Sequence, residues 1–134
     1  MEIKQLSAYF ENKPGKLGEV TKLLADTGIN LRAISIADAA EFGVLRLVVD
    51  DNDKAAEALN NAGYTTLITN VAAAEIDDKP GSLAKVMDIF KTAGVNIEYL
   101  YTTLDGKQGK AVVVFKLSDH EKGLKLIIDN KLSA

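Results

Sequence analysis

The segment FENKPGKLGEV, residues 10–20, returns as IDDKPGSLAKV, residues 76–86, and these two runs hold both prolines of the chain. The same offset of 66 carries further: Leu17 falls on Leu83, Val20 on Val86, Gly28 on Gly94, Asn30 on Asn96, Gly43 on Gly109 and Val48 on Val114, with no gap inserted. A duplication constrains the fold more than any bulk property, because both copies must present the same order of elements. The 134 residues read as two modules, 1–69 and 70–134, joined near Asn70. Domains this short bury a modest share of their surface, so the two cores are expected to be shared or docked.

Hydrophobic periodicity supplies the elements of each copy. Leu6, Ala8 and Phe10, like Ala72, Ala74 and Ile76, alternate with other residues at the period of two that marks a half-buried strand. After the Lys-Pro-Gly turn, Leu17, Val20 and Leu24, matched by Leu83, Val86 and Phe90, recur at helical spacing, and Gly28 or Gly94 ends each helix. Residues 29–37 with 43–50, and 95–104 with 110–117, then read as β-hairpins with Gly43 and Gly109 in the turns. The run DDND caps a second helix, whose counterpart opens with Ser118 and Glu121 at capping-box spacing. A final strand over 64–70 completes βαββαβ, the ferredoxin-like split unit, in an α+β fold. The second copy should begin its last strand at residue 130, which leaves only NKLSA; that edge is expected to be short or covered by a neighbouring chain.

The two helix starts carry the chemistry. Proline fixes its own φ and Gly15 or Gly81 lets the backbone turn sharply, so the first helical amides, at Lys16 and Leu17 or at Ser82 and Leu83, are left without acceptors. Such a terminus attracts a small carboxylate. Asn12 and Asp78, two residues before the prolines, are placed to meet a second polar group of the same ligand, and an α-amino acid offers both groups a few ångströms apart. The alternative is plain capping and turn chemistry, which uses the same residue types. Asn30 and Asn96 interrupt otherwise apolar strand starts, either as ligand contacts or as partners of local backbone.

FENKPGKLGEVTKLLADTGINL and IDDKPGSLAKVMDIFKTAGVNI resemble the first strand, loop, helix and second strand of ACT domains, small regulatory modules that bind amino acids beside metabolic enzymes. The resemblance covers both repeats. It implies modules paired side by side in an antiparallel sheet with helices on one face, and an effector bound between modules through the loops that join the first strand to the first helix. In serine-sensing members the loop Asn and the Asn of Gly-x-Asn touch the ligand from opposite modules; those positions are Asn12 and Asn30, and Asp78 and Asn96. Such members carry a histidine two residues before the loop Asn, where this chain has Phe10 and Ile76, so serine does not follow as the ligand. The carboxylate of Asp78 would attract a ligand's amine and repel its carboxylate.

Composition excludes most other classes. There is no cysteine and one histidine, which removes disulfides, thiol nucleophiles and cysteine-based metal sites. His120 has no partner nucleophile or ligand set near it in sequence, so no catalytic residue, metal or cofactor is expected. A net charge of -3 argues against nucleic acid, and no apolar run spans a bilayer. The N-terminal sequence lacks a secretory pattern, which gives a cytoplasmic expectation. Tyr99 and Tyr101 are expected to pack in a core or interface. The leading reading is a stand-alone, non-catalytic amino-acid sensor, homodimeric, acting on an enzyme or transcription factor. The alternative is a small enzyme or phosphorylated-metabolite binder on the same scaffold.

Overall fold

The computed structural model describes residues 1–37 and 41–132. Along the chain run β1 (Glu2–Glu11), α1 (Lys16–Asp26), β2 (Leu31–Ala37), β3 (Phe42–Val49), α2 (Asn52–Asn61), β4 (Thr65–Asp77), α3 (Ser82–Thr92), β5 (Ile97–Thr102), β6 (Lys110–Leu117) and α4 (His120–Asp129). Two compact units emerge: a first module, Lys4–Thr69, and a second formed by Asn70–Ala134 together with Met1–Ile3. The fold is α+β, with the ferredoxin-like order of elements written twice.

In the first module the strands neighbour one another in the order β2-β3-β1-β4, with Leu6 opposite Leu47 and Ile34 opposite Leu47 in antiparallel register. Leu6, Ala8 and Phe10 meet Leu45, Leu47 and Val49 on one face, and α1 and α2 cover that face with Val20, Leu24, Ala55 and Leu59. Each fully buried leucine contributes about 1.5–3 kcal/mol by leaving water. In the second module the order is β4-β6-β5, with Ala74 opposite Val113 and Leu100 opposite Phe115. Its core repeats the first with larger rings: Phe90 and Phe115 meet edge to face, 5.4 Å between centroids.

Several expectations change. The closing strand of the first copy and the opening strand of the second are a single 13-residue strand, β4, because neither glycine nor proline interrupts TTLITNVAAAEID. The middle of β1 is not half-buried: Gln5 and Ser7 are buried beside Leu6 and Ala8, as Val71 and Ala73 are beside Ala72 and Ala74. The expected packing is met at Tyr101, which is buried with its ring stacked on that of Tyr99, 6.5 Å between centroids.

The gapless repeat also fails in its second half. Phe10 lies opposite Gly43, whereas Ile76, its counterpart, lies opposite Ala111. From β3 onward the structural offset is therefore 68, the extra residues falling in the segment between β5 and β6. Gly43 is thus not the counterpart of Gly109 and not a turn residue. It sits inside β3, where a Cβ would meet the Phe10 ring at 2.7 Å. Gly109, at φ 75, does occupy the left-handed conformation of a turn. The turn expected between 37 and 43 lies mostly outside the described residues.

The same shift moves a cap. Asp51 accepts from the Lys54 amide at 3.1 Å, and Asp119, not Ser118, accepts from the Lys122 amide at 3.1 Å. Ser118 Oγ instead accepts from the Asn96 amide at 2.9 Å, as the Asp50 carboxylate accepts from the Asn30 amide at 3.1 Å.

At an offset of 68 the last strand expected of the second copy would begin at residue 133, outside the described residues. Leu132 contributes one carbonyl, accepting from the Glu75 amide at 2.7 Å. The chain's own N-terminus takes over from there: the Ala73 amide donates to the Met1 carbonyl at 2.8 Å and the Met1 amine to the Ala73 carbonyl at 3.1 Å. Burial holds that amine below its ordinary pKa, partly offset by the Glu2 charge.

Candidate functional site

Both loop-to-helix junctions have the same backbone. Gly15 and Gly81 stand at the N-caps of α1 and α3 with φ 88 and 89, and neither helix receives a side-chain cap. The Lys16 amide turns back to the Lys13 carbonyl and the Ser82 amide to the Lys79 carbonyl, both at 3.3 Å, and helical bonding begins with Glu19 on Gly15 and Lys85 on Gly81. Between them the amides of 17 and 18, and of 83 and 84, make no backbone–backbone bond outside their helices among the described residues. Nothing lies within 4 Å of a Cβ built on either glycine. The left-handed φ, not crowding, requires glycine there.

Asn12 and Asp78 are exposed, and each loop is tied to its hairpin: the Asn12 amide donates to the Glu41 carbonyl at 2.9 Å and the Asp78 amide to the Gly109 carbonyl at 3.0 Å. Asn30 and Asn96 lie at the opposite ends of α1 and α3, side chains exposed, with backbone amides held by Asp50 and Ser118. An 11-residue helix rises about 16 Å, so within one module the loop residue and the Gly-x-Asn residue do not converge on one small ligand.

Beside each helix start is a groove that sequence reasoning missed except at Lys16 and Ser82. The first, about 350 Å3, is lined by residues that include Tyr9, Glu11, Lys16, Glu19, Phe42 and Tyr64. The second, about 310 Å3, includes Glu75, Asp77, Ser82, Lys85, Lys110 and Lys131. The positions correspond at offsets of 66 and 68, so these are one structural feature in two versions, and the register shift is the signal that would have aligned them. Both volumes fall at the lower end of small-ligand pockets, about 300–1,000 Å3.

Electrostatics separates the two. In the first groove Tyr64 Oη donates to Glu19 at 3.0 Å and Lys16 Nζ reaches the same carboxylate at 3.4 Å. The Tyr64 hydrogen bond first, then Lys16, hold the Glu19 carboxyl below its usual range; burial and the bond to Glu19 raise the Tyr64 phenol. This groove lines itself with two carboxylates and one ammonium. In the second, Leu132 replaces Tyr64 and Lys85 replaces Glu19, and the lining carries four lysines, Lys79, Lys85, Lys110 and Lys131, against Glu75 and Asp77. Lys110 bonds Asp77 and, with Lys79, lowers its carboxyl; Lys110 is raised in return. The second groove is the cationic one.

The split βαββαβ order written twice, with a matched loop-to-helix junction in each copy, defines a tandem of ferredoxin-like modules. The whole chain, residues 1–134, matches the family described as ACT domain pair, and the protein belongs to that family. It is similar to a protein of Bacteroides thetaiotaomicron of known crystal structure, 41% identical over 99% of this chain and 91% of that one, with a TM-score of 0.91. It shares the fold of the regulatory subunit of aspartate kinase from Thermus thermophilus in ligand-free form, at 20% identity, 94% and 91% coverage and a TM-score of 0.70. The regulatory subunit of aspartate kinase from Thermus flavus matches at 19% identity, 96% and 94% coverage and a TM-score of 0.64. Curated protein sequences yield no match. Among the described residues, no helix is long and apolar enough to cross a membrane.

Proposed function

We propose that this chain is a non-catalytic cytoplasmic sensor that binds a free amino acid between ACT modules and, as a homodimer, passes the signal to a regulated enzyme or transcription factor. The observation that carries the reading is the pair of helix starts at Gly15 and Gly81, each left-handed, without a side-chain cap and with nothing within 4 Å of where a Cβ would stand. The amides at Leu17 and Gly18, or Leu83 and Ala84, receive the ligand's carboxylate at the positive end of the helix, since those expected at Lys16 and Ser82 are already turned back to the Lys13 and Lys79 carbonyls. Asn12 or Asp78 meets the amine, and Asn30 or Asn96 from another module closes the site, since one module alone holds its two positions a helix length apart. The four lysines of the second groove favour an anionic ligand there over the first groove, whose carboxylate Glu19 already engages Lys16 and Tyr64.

The test is a thermal-shift screen of the common amino acids at millimolar concentration. A ligand at a hundredfold excess over Kd adds about 2.7 kcal/mol to the folded state, a shift of several degrees. One or a few related amino acids should produce it, their decarboxylated amines should not, and alanine at Asn12 or Asn96 should shrink it. A flat response to every amino acid with a saturable response to a phosphorylated metabolite would overturn the reading in favour of the phosphate-binding alternative.

A further inference from the structure

Three potential metal ligands meet where the start of β1 approaches the start of α4. Glu2, on β1, places Oε2 2.5 Å from His120 Nε2, at the first residue of α4. Glu121 follows, and one ligand atom from each of the three lies within 4.8 Å of the others. His120 is half-buried with its side chain 24% exposed, while both carboxylates are open to solvent. This is the one such His-carboxylate group among the described residues. The sequence conceals it because Glu2 and His120 stand 118 positions apart.

We propose that Glu2, His120 and Glu121 form a site for a divalent late first-row metal ion, with Zn2+ the best fit, and that the ion fastens Met1–Ile3 to α4. The chemistry selects the ion class. One imidazole nitrogen and two carboxylate oxygens suit Zn2+, whereas Mg2+ and Ca2+ take six or more oxygens. Two carboxylates balance the ionic charge, and a third, Asp119, is occupied capping α4 immediately beside them. Zinc bonds of about 2.0–2.2 Å put neighbouring ligands roughly 3.3 Å apart in a tetrahedral shell, so His120 and Glu2 separate by less than about 1 Å and Glu121 moves inward. All three changes are rotamer adjustments of long or partly exposed side chains. The ion takes the place of the direct Glu2–His120 contact, and water fills the remaining position. Because Met1 pairs with Ala73 on β4, occupancy of the site holds that edge of β4 closed.

The experiment uses the untagged full chain, stripped with EDTA, in a buffer that does not chelate. ZnCl2 at 10–100 µM, a range in which a three-ligand surface site is expected to saturate, should raise the melting temperature by several degrees, saturably and reversibly with EDTA, while millimolar Mg2+ or Ca2+ should not. Co2+ should give visible absorption bands of a low-coordinate N/O site. His120→Ala, compared with and without metal in the same variant, should abolish the shift. Glu121→Gln, which leaves the Glu2–His120 contact in place, should weaken Zn2+ and Co2+ binding at least tenfold. Absence of a Zn2+ shift in the parent chain, or an unchanged response in either variant, would overturn the assignment. If His120→Ala does not fold, the Co2+ titration of Glu121→Gln decides it alone.

Discussion

A chain begun at position 4, with the initiating methionine in place of Lys4, tests whether the N-terminus completes the second module. The truncation removes both hydrogen bonds between Met1 and Ala73 and the Glu2–His120 contact. Two backbone bonds are worth about 1 kcal/mol each and an exposed ion pair about 0–1, for a loss of roughly 2–3 kcal/mol. At about 3–6 °C per kcal/mol for a chain of this size, the melting temperature should fall by roughly 6–18 °C. Amide exchange locates the effect: the Ala73 amide should lose protection, while that of Glu75, bonded to the Leu132 carbonyl, should keep it. The unpaired length of β4 should also make the truncated chain more prone to self-association in light scattering. A melting temperature within about 2 °C of the parent, with Ala73 still protected, would refute the argument that the N-terminal residues hold this edge of β4.

Two further predictions concern single side chains. Tyr64→Phe removes the largest cause of the lowered Glu19 carboxyl. A depressed carboxyl contributes stability above its unfolded pKa of about 4.5, lost as pH falls through the folded value, so the parent should melt higher than the variant at pH 7 and lose that advantage toward pH 3. The raised Tyr64 phenol contributes below pH 10, so the advantage should also fade as pH rises through its folded value. A pH-independent difference between parent and variant would count against the Glu19–Tyr64 bond. Lys131, at φ 56, is the only described non-glycine residue with positive φ and sits where the first module has Gly63 at φ 92. Lys131→Gly should therefore stabilise by about 0.5–1 kcal/mol in urea unfolding, and a destabilisation would show that the lysine side chain outweighs its backbone strain.

The duplicated Pro-Gly junction, the apolar spacing after it and the glycines that end each helix are local signals, and they determined the order of elements and the buried pairs Val20 and Leu24 of α1 and Val86 and Phe90 of α3, while Leu83, at the same spacing, is exposed. These depend on backbone conformation and on which face of one helix is apolar, both written in adjacent residues. What needed the tertiary structure was every relation between distant segments. The shift from 66 to 68 is invisible in a gapless alignment because Gly43 and Gly109 match in letters while doing different work, one admitting the Phe10 ring and the other turning the chain. Ser118 and Asp119 both cap by type, and only strand pairing, which commits Ser118 to the Asn96 amide, assigns the cap to Asp119. The grooves are assembled from a strand end, a helix start and a turn some 50 residues further on, so no single window of sequence outlines them. The completion of the second module by Met1–Ile3, and with it the meeting of Glu2 with His120, follows from strand pairing across nearly the whole chain; hydrogen-bond valence demanded a partner for β4, and the fold alone decided which residues would supply it.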